Sequence, residues 1–255
     1  MFHVRTFAVS GSFDDCQALA KQALSDTSLQ AVSALSSANS ISLGRWLPQM
    51  VYYAQSALQE WQRSQRRLNF VVPTGNLGNA MAAALARAMG LPIGRIVLAC
   101  NANTVLPEFF AGAEYRARAS ISTLANAMDV GAPSNFERMR WLEPDPARLR
   151  EQFQAFSSAD VDIRASITAV KQQYGLVVCP HTATAWHALD RVGRSAGEAW
   201  AVVATAHPAK FEQVVEPLVG PVPVPASLAR MLDRPTQAQS IPADYAGLRR
   251  ELAAS

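Results

Sequence analysis

An α/β fold built from βαβ units is what this sequence predicts, on three observations. Short β-branched runs alternate with longer amphipathic stretches. Residues 68–99 carry one complete unit, in which a strand, a glycine loop, an alanine-rich helix and a second strand follow one another. Finally, 49% of the 255 residues are hydrophobic against 17% charged, enough apolar side chains to fill the core of one large domain or two small ones.

The first strand is read over 4–9. Ser12 is placed as the N-cap of the following helix. Asp14 and Asp15 then fall in its first turn, where carboxylates meet the positive end of the helix dipole; the same pair also reads as a metal or acid–base site. After a stretch rich in Ser, Ala and Asn over 25–40, a long helix is expected from about 41 to 63. Leu43, Trp46, Leu47, Met50 and Val51 recur there at helical spacing, and Pro48 predicts a kink or a late start. Residues 68–72 read as a buried strand, 73–79 as a glycine loop, and 80–89 as a helix stopped by Gly90 with Pro92 beyond it. The next strand is 96–99. Residues 116–140 lack strong periodicity and read as loop with short helices, and 145–174 read as helix, in one piece or two. Two more strand–loop–helix units are expected, one from 176–178 into Pro180-His181-Thr182 and one from 200–204 into His207-Pro208-Ala209-Lys210. A proline-punctuated stretch over 217–225 leads to a short helix near 245–252.

A net charge of +3, from 23 basic and 20 acidic residues, leaves no footprint for nucleic acid, which needs Lys and Arg clustered on one face. Cys16, Cys100 and Cys179 are far apart and form no Cys-x-x-Cys pair, so neither a disulfide framework nor a metal site is expected. No basic start followed by a long apolar run is present, and no run of ~18 uncharged apolar residues could span a membrane. The expectation is a soluble, cytoplasmic protein.

Three clusters could carry chemistry. In Pro73-Thr74-Gly75-Asn76-Leu77-Gly78-Asn79, glycines let the backbone approach an anion, and the helix start offers free N–H groups. No Gly-Lys-Ser/Thr follows the second glycine, and the spacing is not Gly-x-Gly-x-x-Gly; on spacing alone the residues read first as a tight turn between strand and helix. Cys179-Pro180-His181-Thr182 stands at the strand end where open α/β sheets place ligands. There Thr182 could bond a bound ring or merely cap the helix. In the third, His207 and Lys210 could be a base and a nucleophile, but with no carboxylate nearby in sequence, capping or solvation accounts for them. No His-Glu-x-x-His is present.

Taken together, an ordered set of motifs resembles one family. Phe13-Asp14-Asp15-Cys16-Gln17, Ser37-Ala38-Asn39-Ser40-Ile41, Gln49-Met50-Val51-Tyr52-Tyr53, the 73–79 loop and Met89-Gly90-Leu91-Pro92-Ile93 look like bacterial threonine synthase. So do Asn126-Ala127-Met128-Asp129-Val130, Ser134-Asn135-Phe136-Glu137-Arg138, Pro180-His181-Thr182-Ala183 and Thr205-Ala206-His207-Pro208-Ala209-Lys210-Phe211.

The resemblance implies a fold type II scaffold, an open, mostly parallel sheet flanked by helices, and the cofactor pyridoxal 5′-phosphate. The implied reaction converts O-phosphohomoserine and water to threonine and phosphate. Gly75, Asn76, Leu77, Gly78 and Asn79 match the family's cradle for the cofactor phosphate, with Leu77 where Phe is usual. Thr182 matches the position whose side chain faces the pyridine nitrogen. Ser42 stands where the family often has Asn, so no substrate role is assigned to Asn39 or Ser42. Only the family's C-terminal portion is matched. Residues 1–45 are expected to be a remnant of the smaller α/β domain and 46–255 the cofactor-phosphate-binding domain. The family's Schiff-base lysine, in a Phe-Lys-Asp type context, has no counterpart among Lys21, Lys171 and Lys210, so no catalytic residue is assigned. Either a separately supplied N-terminal portion completes an enzyme, or the chain is an inactive phosphate-binding or interaction module that keeps the fold.

Overall fold

The computed structural model describes residues 5–232, 234–235 and 237–253. In chain order its elements are β1 (Phe7–Ser10), α1 (Phe13–Ser25), α2 (Thr27–Gln30), α3 (Leu43–Ser64), β2 (Leu68–Pro73), α4 (Gly78–Ala88), β3 (Ile93–Cys100), α5 (Val105–Phe110), α6 (Phe136–Leu142), α7 (Pro146–Gln152), β4 (Phe153–Ser157), α8 (Asp160–Tyr174), α9 (Pro180–Arg191), β5 (Ala199–Val202), α10 (Glu212–Val219), α11 (Ala226–Leu232), β6 (Gln239–Pro242) and α12 (Tyr245–Ala253). Two compact units result, 5–38 with 224–253 and 39–223 among these residues. The divisions between these units fall near 38 and near 223. Residues 224–253 group with the N-terminal segment because β6 pairs in parallel with β1, Val9 opposite Ile241, a pairing with no local signature in either strand.

In the larger unit a parallel sheet runs in the order β4-β3-β2-β5. Phe70 lies opposite Ile96 on one side and Ala201 on the other. The period of two along each strand divides the side chains between two cores. Phe70, Val72, Ile96 and Leu98 join Tyr53 of α3, Met81 of α4 and Phe136 of α6, whereas Val71, Val97 and Ala99 pack on Ala185, Ala188 and Leu189 of α9. Both faces are thus covered, as parallel sheets require. Tyr53 is fully buried and meets Phe70 edge-to-face, with ring centroids 5.0 Å apart.

Four sequence expectations are corrected. Residues 176–178 are not a strand but an irregular link into α9. The place beside β3 is taken instead by β4, whose Phe153 and Phe156 pair opposite Ile96 and Ala99; sheet pairing overrides a local sequence that favours helix. The first strand covers Phe7–Ser10 rather than 4–9, and Val4 lies outside the described residues. Finally, α4 begins at Gly78, two residues early, because Leu77 turns the chain at φ 64°. The expected α3 is present and continues across Pro48.

In the smaller unit Ser12 and Asp15 form a reciprocal capping box on α1, which fixes the role of Asp15. Asp26 caps α2 through the amides of Ser28 and Leu29, and also accepts hydrogen bonds from Tyr245 Oη (2.6 Å) and Arg249 Nε (3.0 Å). The Ser28 hydroxyl and these other donors hold the Asp26 carboxyl well below the usual carboxylate range. A depressed folded-state pKa stabilises the fold above the unfolded value and loses that contribution as the pH falls through the acid range. Acid unfolding of this unit should therefore be less steep in Asp26→Asn than in the parent; identical acid limbs followed by circular dichroism would contradict this.

Candidate functional site

The loop between β2 and α4 is built by its own side chains. Thr74 Oγ1 accepts the Leu77 amide (3.1 Å) and donates to Asn79 Oδ1 (2.8 Å), and Asn79 Nδ2 donates to the Pro73 carbonyl (2.8 Å). This latch holds Leu77 left-handed, at a cost of about 1–3 kcal/mol for a residue with a Cβ, offset by complete burial of its side chain. The Leu77 amide is thus already engaged. Gly78 and Asn79 occupy the first turn of α4, where N–H groups have no intrahelical acceptor.

A second layer ties the loop to distant segments. Asn76 Nδ2 donates to Ser40 Oγ (2.7 Å), and Asn76 Oδ1 accepts the Ser134 amide (2.6 Å). Fully buried Asn135 donates to the carbonyls of Asn76 (2.7 Å) and Ser40 (3.1 Å). The glycines are packed against protein. A Cβ on Gly78 would stand 2.8 Å from Ser40 Cβ, and one on Gly75 would stand 2.8 Å from the Met128 Cα and carbonyl oxygen. Their need is close approach of chain to chain, which places the loop amides rather than leaving room beside them.

Across the sheet end, α9 opens with Cys179 as N-cap, its sulfur accepting the Thr182 amide at 3.4 Å. Thr182 Oγ1 lies 3.3 Å from that sulfur and 3.4 Å from Thr205 Oγ1, and accepts the Thr205 amide at 3.3 Å. Thr182 does not itself cap the helix; Cys179 does. His181 is buried, its Nε2 accepting the Ala127 amide at 3.0 Å. His207 Nδ1 caps the short turn Pro208–Phe211 by accepting the Ala209 amide, and Lys210 is exposed, like Lys21 and Lys171. Neither His207 nor Lys210 has a carboxylate partner among the ion pairs of the described residues.

Asn79 of the loop and Thr205 line one cavity of about 590 Å³, together with Arg45, Gln49 and Tyr52 of α3. The volume lies within the range of small-molecule sites, and the Arg45 guanidinium supplies positive charge. An anion at the α4 first turn and a ring with its polar edge toward Thr182–Thr205 fit this donor set. Among the described residues no group of His, Cys, Asp and Glu could hold a metal ion, and no helix is long and apolar enough to cross a membrane.

Sequence reasoning missed Ser40 and Asn135 as loop supports and Thr205 as the partner of Thr182. Their partners are 36, 59 and 23 residues away, so only the ordered motifs that contain them carried any signal.

Residues 1–208 match the family described as pyridoxal-phosphate dependent enzyme, and residues 182–251 match the family described as threonine synthase, C-terminal. Threonine synthase of Escherichia coli (strain K12) is 37% identical over 251 residues, which cover 97% of this chain and 58% of that protein. The crystal structure of an Escherichia coli threonine synthase superposes with a TM-score of 0.91 at 36% identity, covering 98% of this chain and 58% of that one. A threonine synthase from Brucella melitensis, described with pyridoxal phosphate bound, superposes at 0.81 with 30% identity, covering 98% and 59%. The chain thus spans a little over half the length of the relatives it matches.

Proposed function

This chain belongs to the pyridoxal-phosphate-dependent enzyme family, of fold type II, and we propose that it is the C-terminal portion of a threonine synthase. In the complete enzyme, O-phosphohomoserine and water become threonine and phosphate, in the cytoplasm. The observation that carries this reading is the single cavity on which Asn79 and Thr205 converge, in a chain similar to threonine synthases along nearly its whole length.

The cofactor, when bound, supplies an electron sink that the side chains lack. The first-turn amides of α4 at Gly78 and Asn79, with Gly75 and Asn76 before them, would hold its phosphate, and the helix dipole favours that negative charge. Leu77 serves by its conformation, turning the chain so that the following amides point outward. Thr182, braced by the Thr205 amide, would be the neutral partner of the ring nitrogen. Tyr52 and Gln49 wall the cavity from α3.

No lysine of this chain is assigned to the chemistry. The lysine that carries the cofactor belongs to an N-terminal portion, and the outward face of α3 is where that portion packs. Leu43, Leu47, Val51 and Leu58 are 55%, 54%, 62% and 41% exposed along one stripe of that helix.

Joining this chain to the N-terminal portion of a relative should give threonine and phosphate from O-phosphohomoserine; no turnover from a folded, cofactor-loaded joined protein would refute the reading. In that protein Thr182→Ala should weaken pyridoxal phosphate by about one hydrogen bond, ~0.5–1.5 kcal/mol, or roughly 2- to 10-fold by calorimetry. An unchanged affinity would remove Thr182 from the site.

A further inference from the structure

The N-cap of α9 is a cysteine, whereas oxygen-bearing Ser, Thr, Asp and Asn are the preferred caps. Its sulfur is fully buried and surrounded by donors. The Thr182 amide donates to it at 3.4 Å, and the hydroxyls of Thr182 and Thr205 lie at 3.3 and 3.5 Å. His181 adds a fourth group. Because its Nε2 accepts the Ala127 amide, the ring proton of its neutral form resides on Nδ1. That Nδ1 is buried and has no hydrogen-bond partner among the described residues. An amide and two hydroxyls converging on one buried atom, with an unpartnered imidazole N–H close by, describe a cage for an anion.

We infer that Cys179 is a buried thiolate that positions Thr182, drawing its hydroxyl hydrogen toward the sulfur so that its oxygen presents a lone pair to a ring bound beside Thr205. Resting on the cofactor reading above, this makes Thr182 an acceptor for a protonated ring nitrogen rather than a donor to a neutral one. The count of bonds closes. A threonine hydroxyl has one hydrogen and two acceptor positions. The hydrogen goes to Cys179, one acceptor position takes the Thr205 amide, and, with the nearby Thr205 hydroxyl turned to the sulfur rather than to Thr182, one remains for the ring. Were the sulfur a protonated thiol, it could donate to either threonine and would leave the Thr182 hydrogen free to turn outward. Burial raises the thiol, but the polar groups of His181, Thr182 and Thr205 around it outweigh that and bring Cys179 down to about 6. Cys100, equally buried and without such donors, is pushed up to about 12.

The test begins on this chain without cofactor. Ultraviolet thiolate absorbance of the parent minus that of Cys179→Ser isolates the Cys179 titration, since serine keeps the cap. A midpoint near 6 is expected, against ~8.5 for a free thiol. Thr182→Val should raise the midpoint by about one unit or more, Thr182→Ser should restore it, and Thr205→Val, at an exposed position, should give a smaller rise. An ordinary thiol midpoint, or one that Thr182→Val leaves in place, overturns the assignment. Pyridoxal 5′-phosphate is then added to the joined protein. A ring N–H donating to Thr182 should strengthen the bond to sulfur and lower the midpoint further, whereas a rise on loading overturns the acceptor role. Failure of the cofactor to bind the joined protein would count against the cofactor reading alone, and the unloaded titration would still decide the state of Cys179.

Discussion

Gly78→Val in the complete enzyme is expected to abolish retention of pyridoxal phosphate. The new Cβ would lie 2.8 Å from Ser40 Cβ, well inside van der Waals contact, so α4 or the Ser40 segment must shift. Ser40 cannot move alone. Its hydroxyl accepts Asn76 Nδ2, and its carbonyl accepts both Asn135 Nδ2 and Trp46 Nε1 (2.7 Å). Displacement therefore passes to Asn76 and to the amides that follow it. Overpacking of this kind costs about 1–3 kcal/mol, and misplaced first-turn amides lose the phosphate as well. A fall in affinity of ~100-fold or more is expected, at 1.4 kcal/mol per factor of ten. Adding Ser40→Gly removes the clashing atom and should recover part of that loss. Unchanged affinity in Gly78→Val, measured by calorimetry, would remove the loop from the cofactor site.

The second large effect concerns this chain by itself. With no lysine assigned to the chemistry, it should release no phosphate from O-phosphohomoserine even when pyridoxal phosphate is added. A lysine amine at the cofactor's carbonyl is the activated nucleophile that such chemistry needs. The exposed apolar stripe of α3, with Trp61 also 38% exposed, should bind apolar dyes and drive self-association. The edge strand β5, unpaired on its outer side among the described residues, adds a template for the same behaviour. Supplying the N-terminal portion in trans should suppress dye binding and restore turnover together. Turnover by the chain alone, or dye binding that the added portion leaves unchanged, would contradict this.

The parts of the fold legible in the sequence are those whose signals are local. The Ser12–Asp15 cap, the strand–loop–helix around Gly75 and Gly78, and α3 all follow from spacing and turn chemistry within a few residues. β4 and β6 escaped because their strand state is conferred by partners, β3 and β1, that lie far away in sequence. The site divides in the same way. The loop glycines and Thr182 stood out, but the need for glycine at position 78 comes from Ser40, and the N-cap of α9 is Cys179 rather than Thr182. A local reading takes loop glycines as room for a ligand; tertiary packing has used that room for the protein's own chain.

Borohydride reduction tests the division of labour most directly. This chain is combined with the N-terminal portion of a relative and pyridoxal phosphate, turnover of O-phosphohomoserine is recorded, and the mixture is reduced, digested and sequenced by mass spectrometry. Threonine should form, and the pyridoxyl-lysine should lie on the N-terminal portion, with none at Lys21, Lys171 or Lys210. A stoichiometric adduct at one of those three lysines, accompanied by threonine formation from this chain alone, would show that it carries its own catalytic lysine and would contradict the account.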